Sequence, residues 1–169
     1  RAFKSSGAKD DPTDAEFALE LVLPHRDKLA PLRRQSAAMR TLQRLVEERR
    51  RLVQDRVRIT NRITHALKSF FPQVVDWFRD KETAVFADFL ERWPTLEDAQ
   101  RARDKTLVDF FRDHNVRYAT TIERRLAQIR EEKPLTTDAA VIGPARLLVQ
   151  ALLPQLRAVS HAIEQFDQE

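Results

Sequence analysis

The run Lys9-Asp10-Asp11-Pro12-Thr13-Asp14-Ala15 holds the carboxylates best spaced for chemistry. Asp11 and Asp14 stand three residues apart at the mouth of a short apolar segment, so on a helix both lean to one side. Hard cations such as Mg²⁺ take carboxylate oxygens. Two such ions about 3.5–4 Å apart stabilise both the attacking and the leaving oxygen of a phosphoryl transfer. The spacing admits a second use. Thr13 and Asp14 can cap the helix while Asp10 and Asp11 complement its dipole.

A second set of residues could hold phosphate. Arg40, Arg44, Arg49, Arg50, Arg51, Arg56, Arg58 and Arg62 lie between Ser36 and Phe71, opposed there only by Glu47, Glu48 and Asp55. Arginines along one rod neutralise a nucleic-acid backbone and release its counterions. Against this stands a solvated face with intrahelical pairs, Glu47–Arg51 and Asp55–Arg58, worth only about 0.2–0.5 kcal/mol each. Three acids cannot pair eight arginines, which favours phosphate contact. Other chemistry is poorly supported. His25, His65, His114 and His161 are scattered, with no pair at metal-ligand spacing. Trp77 and Trp93 could stack on bases, but they suit an aromatic core better. Ser5, Ser6 and Ser160 lack a nearby His–Asp set, so no nucleophile is assigned.

The element that must position the arginines is a long helix. Leu42, Leu45, Val46, Leu52, Val53, Ile59, Ile63, Leu67 and Phe70 recur at steps of three and four, with no Gly or Pro from Ser36 to Phe71. Ser36 is a natural N-cap, and Pro72 should end the helix at Phe71. Thirty-six residues make a rod about 54 Å long. A rod of that length needs a partner helix.

Upstream, residues 1–12 read as a loop. Thr13 and Glu16 form a capping box for a helix from Ala15 to Leu23, whose Phe17, Ala18, Leu21 and Val22 require a core that nothing upstream supplies. Pro24 should stop it, leaving 25–34 as a linker. Downstream, shorter helices are expected over Thr83–Arg92, Leu96–Arg101, Lys105–His114 and Tyr118–Glu131. Trp77, Phe78, Phe86, Phe89, Leu90, Trp93, Leu107, Phe110 and Phe111 stock a compact satellite core. Thr136 or Thr137 should cap a final helical region, with an interruption at Gly143-Pro144 and a kink at Pro154. Leu148, Leu152, Val159, Ile163 and Phe166 continue its apolar stripe.

Composition narrows the class. Two glycines in 169 residues, with 42% apolar and 33% charged residues, point to helices with few tight turns. A net charge of +4 and a pI near 9.7 favour an acidic partner, nucleic acid or an anionic membrane. A basic helix lying on a membrane fits less well, because its apolar stripe is too regular and too long to stay unpaired. The absence of cysteine excludes disulfides and thiolate metal sites. No apolar run approaches the roughly 20 residues that span a bilayer. The start, Arg1-Ala2-Phe3-Lys4, has neither Met nor a signal-peptide core. The chain reads as cytoplasmic and as beginning mid-protein.

The run S-G-A-K-D-D-P-T-D-A, residues 6–15, resembles the K-x-D-x-x-D-A segment of insertion-sequence transposases related to the Piv/MooV DNA invertases. Pro31-Leu32-Arg33, the arginine-rich helix with its R-I-T-N-R-I run, and an aromatic pair before Pro72 look like the same family. The resemblance implies a RuvC-like catalytic domain with a DEDD acid set, in which Asp11 and Asp14 match the third and fourth acids and Lys9 the motif lysine. It implies Mg²⁺ in the parent protein, held poorly by two acids alone, and DNA strand cleavage and rejoining. The first Asp, the Glu and the serine-bearing downstream domain of the family have no counterpart here. In some members a structured guide RNA accompanies the DNA.

The expected fold is all-α. A long antiparallel helical hairpin, a coiled coil of residues 36–71 against 137–166, carries a small helical insertion over 73–133 at its tip. It forms a domain of residues 31–169, preceded in 1–30 by the last helix of a RuvC-like domain and a linker. The expected function is that of a transposase fragment, inactive alone, that binds nucleic acid and pairs subunits as a dimer. The rival is a non-catalytic coiled-coil dimerisation module whose arginines only solubilise it.

Overall fold

The computed structural model describes residues 11–30, 34–116 and 118–169. Every regular element among the described residues is helical. The chain divides into two units, residues 1–40 and 41–169.

In the first unit α1 spans Asp11–Val22. It begins four residues before the expected Ala15, so Thr13 lies inside the first turn instead of capping it. Pro12 explains the shift: its fixed φ suits a first turn, where its missing N–H loses no bond. α1 ends one residue before the expected Leu23, but Pro24 is not followed directly by a linker. It sits at the start of a 3-10 segment, Leu23–Lys28, which closes with the Leu29 N–H on the Arg26 carbonyl. A proline tolerated in a first turn can open a new helical segment as readily as it ends an old one. Leu19, Leu21 and Leu23 are all more than half exposed. The Ser36 cap is present, with its Oγ accepting from the Met39 N–H at 3.2 Å.

The long helix α2 spans Ala37–Leu67. It ends four residues before the expected Phe71. The N–H groups of Ser69, Phe70 and Phe71 turn back onto the carbonyls of Ala66 and Leu67. That turn drops Phe70 and Phe71 into the core at 4% and 0% exposure. Pro72 then opens a short helix, α3 (Pro72–Trp77), which the sequence pattern did not predict. The next four helices fall near their expected places: α4 (Ala84–Arg92), α5 (Leu96–Arg101), α6 (Asp104–Asp113) and α7 (Ala119–Glu131). Thr95 caps α5 by accepting from the Asp98 N–H at 3.1 Å. Asn115 turns the chain after α6 with φ at 61°, a conformation asparagine tolerates better than most residues.

The last helix, α8, runs without a break from Ala139 to Gln168, with Asp138 as its cap. The interruption expected at Gly143-Pro144 does not occur. Pro144 stands close enough to the N-terminus that few ladder bonds are lost. Pro154 is internal. By length and composition α8 could cross a membrane, which a search for uninterrupted apolar runs missed because Arg146, Gln150 and Gln155 punctuate it. Its Val149, Leu152, Leu153 and Leu156 are instead packed into the helical core.

That core is not a satellite. One cluster joins the end of α2 (Ile63, Ala66, Leu67) through the aromatic residues of α3, α4 and α6 to α7 and α8. Phe89 is its hub, fully buried, with ring centroids of Trp77, Phe78, Trp93, Phe110 and Phe111 all within 6.2 Å. Beyond the core, α2 and α8 meet in reversed order. Leu45 and Phe166 line one groove, Arg49 pairs with Asp167, and Ile59 and Arg62 line another groove with Gln155 and Val159.

Candidate nucleic-acid interface

The eight arginines do not act as one set. At 3.6 residues per turn, Arg44, Arg51, Arg58 and Arg62 fall within a sector of about 40°, while Arg49 and Arg56 fall on roughly the opposite side. The four in the common sector are exposed. Arg51 pairs with Glu48 at 2.7 Å and Arg58 with Asp55 at 2.8 Å. The expected Glu47–Arg51 pair does not form; Glu47 accepts from Gln43 instead. Arg44 and Arg62 form no ion pair among the described residues. Arg50 lies on a flank, exposed and without an ion pair among the same residues. Arg40 belongs to the first unit, where its guanidinium donates to the Gln35 carbonyl at 2.7 Å.

Arg49 and Arg56 pair with acids distant in the chain. Arg49 makes a two-pronged contact with Asp167, 2.5 Å and 3.2 Å long. The hydrogen bond from Arg49, with the charges of Arg49 and Arg56, holds the Asp167 carboxyl below its ordinary pKa. The same bond raises Arg49. Arg56 pairs with Glu82, just before α4, at 2.7 Å, and only a quarter of its side chain is exposed. The Arg56 pair is partly buried, while the Arg49 pair lies at the surface. Arg44, Arg51, Arg58 and Arg62 form an exposed cationic stripe offset by two local acids, with Arg58 and Arg62 at the edge of the groove shared with Gln155 and Val159.

The acid pair is less developed. Asp11 opens α1 and Asp14 is exposed in its first turn. The motif lysine, Lys9, lies outside the described residues, as does Pro31-Leu32-Arg33. No group of three or more His, Cys, Asp or Glu side chains among the described residues could hold a metal ion.

The histidine reading changes in one case. His114 Nε2 lies 2.7 Å from Asp88 Oδ2 and Nδ1 lies 2.8 Å from the Phe110 carbonyl. Asp88 also pairs with Arg157 of α8 at 2.6 Å, and Arg157 with Glu91. Burial works against a charged ring. The hydrogen bonds to Asp88 and Phe110, and the charges of Asp88 and Asp113, outweigh it and raise the pKa above 6.5. No sequence spacing announces this cluster, because its members lie on three helices. Trp77 and Trp93 are core residues, as expected.

Residues 1–72 match the family model of the DEDD transposases of the IS110 type, described as a transposase. The match covers the acid pair, all eight arginines and the chain as far as Pro72. No curated protein and no solved structure matches.

Proposed function

We propose that this chain is the part of a DEDD-type transposase that joins the end of a RuvC-like catalytic domain to a nucleic-acid-binding helical domain. The transposase match over residues 1–72 supports this. The observation that carries the binding role is the separation of Arg44, Arg51, Arg58 and Arg62 from the arginines that tie the fold together. In this reading Asp11 and Asp14 are two of four acids around Mg²⁺, and Lys9 contacts nucleic acid beside them. When bound, the ion activates and stabilises oxygens in strand transfer. Two acids alone hold it weakly, so calorimetry with Mg²⁺ should give no tight binding. A saturating isotherm at micromolar Mg²⁺ would contradict that assignment.

The partner is DNA, accompanied or replaced by a structured guide RNA. The α2–α8 pair acts as a coiled-coil hairpin through which two copies associate; light scattering at high micromolar concentration should give the dimer mass, and a monomer would remove it. The decisive test is titration against duplex DNA and structured RNA at low salt. Binding to either establishes the interface, and the tighter ligand names the partner. No binding would leave α2 and α8 as a scaffold, the reading favoured by the Arg51–Glu48 and Arg58–Asp55 pairs.

A further inference from the structure

A cavity of about 220 Å³ opens among the segments around α3, α4, α6 and α7. Trp77, Phe78 and Phe111 give it aromatic walls, while Arg79, Asp80 and Arg125 bring charge to an otherwise apolar lining. It lies outside the residues matched to the transposase family.

Arg125 is the unusual member. Its guanidinium carbon sits 5.4 Å from the centre of the Phe78 ring, and its one hydrogen bond among the described residues goes to Gln128 Oε1 at 3.2 Å. It makes no ion pair among the described residues. Burial, with the charge of Arg124 adding, lowers its pKa to about 10. A half-buried guanidinium without a counter-anion leaves desolvation uncompensated, and an incoming anion would restore the balance. Trp77 has an indole N–H that is buried without an acceptor. Buried donors are ordinarily satisfied. The cavity thus combines a half-buried guanidinium with no anion partner among the described residues, a second and exposed arginine, and aromatic walls, with the Arg125 guanidinium carbon beside the Phe78 ring.

Among anions, a nucleotide matches this set. A base is a flat ring that stacks on aromatic side chains and on arginine planes, and its phosphate is the acceptor that arginine forks prefer. Asp80 has one oxygen engaged by the Glu82 N–H at 2.9 Å, which leaves the other to accept from an exocyclic amino group. We propose that this cavity receives an unstacked base of single-stranded nucleic acid, with its phosphate on Arg79 and Arg125. The proposal relies on the nucleic-acid reading above only for the source of the ligand.

The test uses cytidine 5′-monophosphate and ¹H–¹⁵N spectra of the whole chain. The Trp77 indole N–H resonance should move saturably as nucleotide is added. Arg125→Met should weaken the titration by about tenfold or more, the scale of a lost charged hydrogen bond. Arg79→Gln, at an exposed position that cannot unfold the core, should weaken it in the same direction. No movement with the nucleotide, or an unchanged titration in both variants, overturns the proposal. So does movement with benzoate but not with the nucleotide, which would mark a site for a protein carboxylate. The combined variant Arg51→Gln/Arg58→Gln/Arg62→Gln should titrate normally. Failure of duplex DNA and structured RNA to bind, beside a normal nucleotide titration, would remove the stripe reading and leave this one standing.

Discussion

The arginine stripe makes a quantitative prediction about salt. Each phosphate neutralised on duplex DNA contributes a slope of about −0.9 to log K against log salt. If Arg44, Arg51, Arg58 and Arg62 each meet one phosphate, the total slope is about −3.6, and raising salt fourfold, from about 50 to about 200 mM, weakens binding about 150-fold. Replacing Arg51, Arg58 and Arg62 with Gln should leave about −0.9, so the same change costs only about 3–4-fold. The fold should tolerate this, because the two broken pairs are exposed i, i+3 contacts worth a few tenths of a kcal/mol each. Arg49→Gln is the control: it removes an arginine of the same helix that is already committed to Asp167. Fluorescence anisotropy on a labelled duplex at four or five salt concentrations gives each slope. An Arg49→Gln slope reduced as much as one stripe residue's share, or a triple variant with the parental slope, would refute the division of the arginines into two sets.

Other outcomes follow from the helical core and its ties. Phe89→Ala removes the hub ring of the aromatic cluster and should cost about 3–5 kcal/mol, read by urea unfolding, with loss of near-UV circular dichroism. His114→Gln should matter most in acid. Its pKa is raised in the folded chain, so its contribution is fully present below the unfolded value near 6.5 and is lost as pH rises through the folded value. The Tm gap between parent and variant should therefore narrow as pH rises from below the unfolded value through the raised folded value, and a gap that is constant or widens would contradict a charged ring. Gly143→Ala should stabilise by about 0.5–1 kcal/mol, since Gly143 is helical and an added Cβ would meet nothing within 4 Å; a lower Tm would contradict an unbroken α8.

The fold class and most helix positions were legible because they rest on local rules. Apolar spacing of three and four marked α2, and Ser36 announced its own start. The failures cluster at prolines. Pro12, Pro24 and Pro72 each stand in a first turn, where a missing N–H costs nothing; Pro24 does follow the end of α1, as expected, but it and Pro72 also open new helical segments that the sequence reading did not foresee. Pro144 is tolerated near the start of α8 for a related reason. The small core was misread for another cause. Nothing in the order of residues says that Leu67 of α2 and Leu152 of α8 join the same cluster as Phe89, because burial there is set by contacts between distant segments.

The candidate site shows the same limit more sharply. Eight arginines against three acids is a property of one segment, and counting within it overstates the free charge. Asp167 and Glu82 lie 118 and 26 positions from the arginines they engage, so no tally of the long helix could include them. Helical geometry does place Arg49 and Arg56 on the side opposite the stripe, and that side also carries Leu45, Ile63 and Leu67. A partly buried cation on an apolar face, as Arg56 is, must find a carboxylate or bear its desolvation, so helix angle alone could have marked Arg56, whereas Arg49 stays exposed in its pair with Asp167. The charge left for a polyanion is then four arginines on one line, of which two must give up weak local partners, with the exposed Arg50 on its flank. That makes binding a competition between phosphate and Glu48 or Asp55, and removing those two acids should tighten binding while leaving the number of phosphates contacted unchanged.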